Sequence, residues 1–397
     1  MPLSNGPDPG GNDRFGARCG EVRPYPAGTS SVGMRTGGCM SSKGFVQIKH
    51  KNKRGFQVPN TLVSRGAGMR CIAGLFFLML FSAAACSDVS TSPDPCPLVS
   101  EFTPATGAAD DGPPSLWGPW NKRVRIAVSD NGLNWTALDV TVADQADVPT
   151  VVTVDGEVWL FFVIWRDQDR TVHNDTVVAR SCNLTDWTYH FIDVAGLPNG
   201  YTSTPVDPSV VPFPGGFRMY YMLGPVGSGE GATAHTFSAI STDLVSWTHE
   251  GSRFEVNGTP VLDPNALWVE DHYEYFAGGI PGVNHHATSN DGLSFTAEPD
   301  FEVDIEGLSL IMANGMDFGD GLYRYYGFSQ GPAHIDETAI YSMIWDKDDQ
   351  WVIEDGVRLS LDQGGSQDAQ FVADPAVTVH PEGPESGYVM AYVTAIP

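Results

Sequence analysis

The sequence predicts an all-β chain closed into a five-bladed β-propeller. Three observations predict it. A Ser-to-aromatic string recurs five times, a string built on Asp-Pro recurs four times in alternation with it, and the two ends of the repeat array are complementary half-units. Composition agrees: 44 glycines and 29 prolines among 397 residues, with no long stretch of helical period, argue against an all-helical or doubly wound fold.

The elements follow in chain order. Residues 1–68 are rich in Gly, Ser, Arg and Pro without apolar period, and read as disordered or as an upstream extension from a misassigned start codon. Residues 69–86 read as an export signal. Met69-Arg70 is basic, 72–81 is apolar, and the run to residue 85 is shorter than the ~20 residues that span a bilayer. Ala83-Ala84-Ala85-Cys86 resembles a bacterial lipobox, which implies lipidation at Cys86 and an outer-membrane or cell-surface lipoprotein. Cleavage near Ala85 by an ordinary signal peptidase would give a periplasmic or secreted chain instead. Residues 87–117, rich in Ser, Thr, Pro, Asp and Gly, read as a flexible tether. An oxidising compartment permits a disulfide between Cys96 and Cys182.

Residues 118–397 carry the repeats. The first string is Ser129–Trp135, Ser181–Trp187, Ser241–Trp247, Ser289–Phe295 and a degenerate Ser342–Trp351, with start-to-start spacings of 52, 60, 48 and 53 residues. Each copy follows a β-like run, such as Val124–Val128, so the unit is strand, polar turn, aromatic, strand. The second string is Asp147-Val-Pro, Asp207-Pro, Asp263-Pro and Asp374-Pro, each leading into an aromatic strand. The same offset before Leu322–Tyr326 reaches Ala313-Asn314, without Asp-Pro. Units of about 50–60 residues suit four-stranded blades. Because the array opens on one string and closes on the other, residues ~120–140 should supply outer strands to the blade whose inner strands are 374–395, which removes exposed sheet edges. A β-sandwich offers no reason for matched fivefold strings.

Charge is uneven. Residues 1–86 hold 11 Lys/Arg against Asp8, Asp13 and Glu21, whereas 87–397 hold 11 basic and 45 acidic side chains, with Lys122 and Lys347 as the only lysines. Such a segment is no general nucleic-acid binder and no partner for anionic membrane surfaces. Any membrane contact would run through the lipid anchor alone. Proline suits the first residue of an innermost strand, so the Asp-Pro strings should ring the axis at one mouth. The loops joining the second and third strands open there too. They carry Trp165, Arg166, Arg170 and His173; Glu230 and His235; His285 and His286; and His334. Carboxylates around one funnel suit glycoside hydrolysis, in which one protonates the leaving oxygen and another activates water or attacks. They equally suit capping of backbone donors at strand starts.

The blade-start aspartates, the Ser-x-Asp-x-x-x-Trp turns and the fivefold count resemble the five-bladed glycosidase group of glycoside hydrolase families 32, 43, 62 and 68 over residues ~118–397. That resemblance implies Asp147 as base or nucleophile and Asp207 as the carboxylate that tunes pKa and orients substrate. It also implies a third-blade Glu as acid, where this sequence has Asp263, so that Asp263, Glu230 or a loop histidine such as His286 would have to serve. Arg166 and Arg170 could hold a carboxylated sugar, and Trp165 could stack on a ring; His235, His334 and Asp374 complete the candidate binding set. No cofactor is implied, although calcium could occupy the axial channel through Asp and His ligands. The alternatives are a non-catalytic glycan-binding or scaffold propeller and, less well supported, a sialidase-like enzyme, which would need six blades and an arginine triad. The expected partner is an oligosaccharide or polysaccharide, and the expected state a monomer. No zinc spacing, P-loop, dinucleotide fingerprint or serine elbow occurs.

Overall fold

The computed structural model describes residues 99–110, 112, 118–165, 174–202, 204–226, 234–278, 283–305, 308–330, 338–346, 350–363 and 371–396. Lipidation at Cys86 and the roles of Cys96, Arg166, Arg170, Glu230 and His334 fall outside these residues. Cys182 is disulfide-bonded.

The strands form five sheets. Blade 1 comprises Ala146–Val154, Glu157–Ile164, Asp175–Ser181 and Thr188–Phe191 from the axis outward. Blade 2 comprises Val206–Phe213, Gly216–Leu223, His235–Ser241 and Ser246–Phe254, with Asp193–Ala195 added in parallel at its rim. Blade 3 is Leu262–Val269, His272–Gly278, Asn284–Ser289 and Thr296–Ala297. Blade 4 is Leu308–Asp317, Tyr323–Gln330, Ala339–Trp345 and Trp351–Ile353, flanked by Asp304–Ile305 and Leu359–Ser360. Blade 5 joins both ends of the repeat array: Val372–Val379 and Tyr388–Ala395 are its inner strands, and Lys122–Ser129 and Thr136–Asp144 its outer ones. Lys122–Ser129 lies antiparallel to Tyr388–Ala395 without a register break, from Lys122↔Ala395 to Ser129↔Tyr388.

The second strands are nearly continuous apolar runs because both faces of each blade are covered by neighbours. Leu160, Phe161, Tyr220, Tyr221, Tyr275, Phe276, Tyr325 and Tyr326 are completely buried there. The Ser-to-aromatic strings are the turns between third and fourth strands. In blade 2 the Ser241 hydroxyl accepts from the Asp243 and Leu244 amides, the Asp243 carboxylate accepts from the Val245 and Ser246 amides, and Trp247 Nε1 donates to the Leu244 carbonyl. The same bonds recur at Ser129/Asn131/Trp135 and Ser181/Asn183/Trp187. In the degenerate copy Ser342 lies within the strand Ala339–Trp345 and donates to Glu354, as Ser238 does to Glu250 in blade 2, while Trp351 Nε1 reaches across to Glu274 of blade 3.

Residues 99–110, read from composition as part of the tether, make specific contacts. Phe102 is buried against Tyr189 and Phe191 of blade 1, and the Gly107 amide donates to Asp144.

Candidate functional site

The axial site is made by an irregularity shared by four innermost strands. In blades 2, 3 and 5 the pairing with the second strand skips two residues, and these are the Asp-Pro pairs Asp207-Pro208, Asp263-Pro264 and Asp374-Pro375. Each aspartate is left-handed, with φ of 54°, 48° and 48°. Aspartate tolerates this conformation better than most residues, and the proline carries no amide that a ladder bond would require. The bulge turns the aspartate out of the pleat and toward the axis.

Blade 1 departs from the register expected of its string. The skipped pair is Val148-Pro149, Val148 has φ 45°, and Asp147 still pairs with Val163. The valine inserted between acid and proline therefore occupies the place that aspartate holds in the other blades, and Asp147 sits one residue earlier. Its carboxylate accepts from the Val148 amide at 3.0 Å and from Lys122 Nζ at 2.6 Å. In blade 4 the register skips Ala313 alone, and among the described residues this blade adds an apolar wall to the cavity. An axial cavity of about 20 Å³, measured as the space open to the centre of a water molecule, is lined by Asp263, Asp374, Val148, Ile311, Met312 and Phe328. That is room for about one water.

Among the described residues the four aspartates converge with one cation, Lys122. Lys122 opens the first strand of the closing half-blade and is buried; its Nζ lies 2.6 Å from Asp147 Oδ2, 4.0 Å from Asp374 Oδ2 and 5.6 Å from the Phe371 ring centroid. Burial lowers its pKa, but the carboxylates of Asp147 and Asp374 outweigh this and leave it raised. Asp207 is pushed up to about 7, first by burial and then by Asp147 and Asp374; an Asp263 backbone hydrogen bond and Lys122 oppose the shift. Burial and the neighbouring Asp207 and Asp147 hold Asp263 well above the carboxylate range. Burial likewise raises Asp374; Lys122 opposes the shift and the charges of Asp147 and Asp263 add to it. Among the described residues the site thus gathers four carboxyl groups and one lysine, and three of the carboxyls are shifted toward their protonated forms.

The other sequence candidates lie in different surroundings. Trp165 is half-buried, edge-on to the Trp120 ring at 5.2 Å. His235 starts the third strand of blade 2, with Nδ1 3.3 Å from Glu255. His286 is mid-strand in blade 3, with Nε2 2.8 Å from the buried Glu274 and its ring stacked on Phe276. Glu274 also bonds His272 and Trp351, so His286 belongs to a clasp between blades 3 and 4 and not to the aspartate cluster. Among the described residues, no group of three or more His, Cys, Asp or Glu side chains has metal-binding geometry. The residue missed by sequence reasoning is Lys122. Its signal was available, since it is one of two lysines after residue 86 and stands in the half-blade expected to close the ring.

No protein-family profile matches the chain, and no curated protein matches it. Solved structures similar to it include a thermostable family-43 glycoside hydrolase, 17% identical with a TM-score of 0.48, covering 62% of this chain and 88% of that one. A glycosyl hydrolase from Bacteroides ovatus is 13% identical with a TM-score of 0.43, covering 68% and 93%. An exo-1,5-α-L-arabinanase from a bovine ruminal metagenomic library is 12% identical with a TM-score of 0.42, covering 58% and 83%.

Proposed function

We propose that the protein is a glycoside hydrolase that cleaves an oligosaccharide at the axial mouth, with Asp147 as base or nucleophile, Asp207 as orienting carboxylate and Asp263 as acid. The observation that carries this reading is the convergence of carboxyl groups from separate blades in opposed environments. Asp147 is ion-paired with Lys122 at 2.6 Å, whereas burial and mutual repulsion hold Asp207 and Asp263 toward their protonated forms. Cleavage of a glycosidic bond needs that division of labour, one group to give a proton and another to activate water or attack. Asp263 stands where the resembled families place glutamate; its upward shift supports its service as acid despite the shorter side chain.

The test is hydrolysis of an aryl-arabinoside, xyloside, galactoside and fructoside panel. The proposal expects turnover by the native protein and a loss of about 10²–10⁴-fold in Asp147→Ala and in Asp263→Asn. No turnover across the panel, or unchanged turnover in these variants, rejects it. Retention on a glycan array without product release would establish the non-catalytic binding reading instead. The lipobox-like string ending at Cys86 supports export and lipid anchorage. Cys86→Ser should abolish radiolabelled palmitate incorporation and release the protein from membranes.

A further inference from the structure

The ring closure brings two ionisable side chains to the axis that the catalytic assignment leaves unused. Lys122 comes from the strand entering the propeller, and Asp374 from the innermost strand of the blade that the entering strand completes. Both lie beside Asp147: Lys122 Nζ is 2.6 Å from Asp147 Oδ2, and, with burial, the charge of Asp147 helps hold the Asp374 carboxyl above its ordinary range. Lys122 is also 4.0 Å from Asp374, so the three groups form one buried triad. Among the described residues, Asp207 from blade 2 and Asp263 from blade 3 also act on it by charge. Blade 4 presents Ile311, Met312, Ala313 and Phe328 to the cavity.

We infer that Lys122 and Asp374 are positioning residues for Asp147, Lys122 through their ion pair and Asp374 as a protonated carboxyl beside the same ammonium. This rests on the reading of Asp147 as base or nucleophile. The arrangement aims Asp147 Oδ2 at the lysine and Oδ1 at the Val148 amide. Loss of Lys122 would remove the cation that opposes the upward shifts of Asp374, Asp207 and Asp263, so these three would ionise at higher pH.

The experiment reads the protons directly, without substrate, by infrared difference spectroscopy or by NMR of protein carrying ¹³Cγ-aspartate. At pH 7 the protonated-carboxyl signal of the native protein should fall by one group in Asp374→Asn. In Lys122→Met the pH midpoint of that signal should rise by at least one unit, and Lys122→Arg should restore it. An unchanged signal in folded Asp374→Asn, or an unchanged midpoint in folded Lys122→Met, overturns the inference. If Lys122→Met does not fold, Asp374→Asn decides alone. With a turnover substrate in hand, Lys122→Met should move the acid limb of kcat/KM upward by at least one pH unit with KM nearly unchanged, and Lys122→Arg should reverse it. A structural role alone would lower activity equally at every pH. If the panel shows no turnover while the proton signals behave as expected, the hydrolase reading fails and the triad stands. If turnover depends on Asp147 but the signals do not move, the triad fails and the hydrolase reading stands.

Discussion

At Gly292 the absence of a methyl group decides whether two blades can meet. A Cβ there would lie 2.7 Å from Tyr220 Oη and 2.8 Å from Arg218 Nη1, and φ is +67°. The gap is used: Tyr220 and Arg218 of blade 2 donate to the carbonyls of Gly292 and Asp291 in the turn of blade 3. Tyr326 and Arg324 of blade 4 do the same to Gly132 and Asn131 of blade 5. Gly292→Ala should cost about 1–3 kcal/mol, from the steric clash and the left-handed φ together, read as a lower denaturant midpoint. A neutral result would show that the blades slide apart freely. At the matching turn positions of blades 1 and 2 the residues are Leu184 and Leu244, equally left-handed at φ 66° and 65° but buried. There the strain of a branched side chain is offset by apolar burial against the neighbouring blade. Val148 carries a similar strain at φ 45° with a β-branched side chain that aspartate replaces in three other blades. Val148→Asn should therefore raise Tm by about 2 °C. A fall would mean that the valine's packing outweighs its backbone cost.

Among the elements, the turn between third and fourth strands is self-contained, which is why its string could be read directly. Serine, the residue two places on and the aromatic satisfy one another's donors and acceptors within seven residues. Asp243→Ala removes the acceptor for the Val245 and Ser246 amides and should cost about 1–2 kcal/mol, measured by chemical denaturation. A loss below a few tenths would show that water substitutes fully. Where the string degenerates, Asp346 and Gln350 bond each other locally instead of through a serine, and Trp351 takes its acceptor, Glu274, from blade 3. The second-strand position that holds Arg218 and Arg324 holds Glu274 in blade 3, and the direction of bonding reverses with it. Arginine donates to the next blade's turn carbonyl, whereas Glu274 accepts from Trp351 of the next blade. The strings alone could not show this reversal, because it depends on which residues face each other between sheets. The same limit explains the one-residue displacement of Asp147. The sequence shows Asp-Val-Pro beside three Asp-Pro pairs, but only the pairing of Asp147 with Val163 tells which of the two residues enters the bulge.

For the molecule as a whole, the axial charge cluster sets a pH dependence opposite to that of ordinary surface ion pairs. Asp207, Asp263 and Asp374 all have raised pKa values, so between the ordinary carboxylate range and those values the folded chain binds more protons than the unfolded one. Their contribution to stability is present below about pH 4 and is lost as pH rises, for Asp207 through about 7. Glu250, Glu274 and Glu354 work the other way: burial raises them, hydrogen bonds and cations more than reverse this, and their stabilisation is lost on acidification. Tm should therefore be lower at pH 8 than at pH 5. Asp207→Asn should remove on the order of 2 kcal/mol of that difference, allowing for its partial exposure. An identical pH profile in the variant would mean that Asp207 titrates near its ordinary value. By itself the sequence determined the strand content, the number of blades and the meeting of its two ends, because each is carried by local strings at a regular period. Only the tertiary structure decided which acids share a cavity, that Val148 displaces Asp147, and that Lys122 reaches both Asp147 and Asp374. Those facts depend on register and on the angle at which five sheets surround one axis, and neither is set by residues adjacent in the chain.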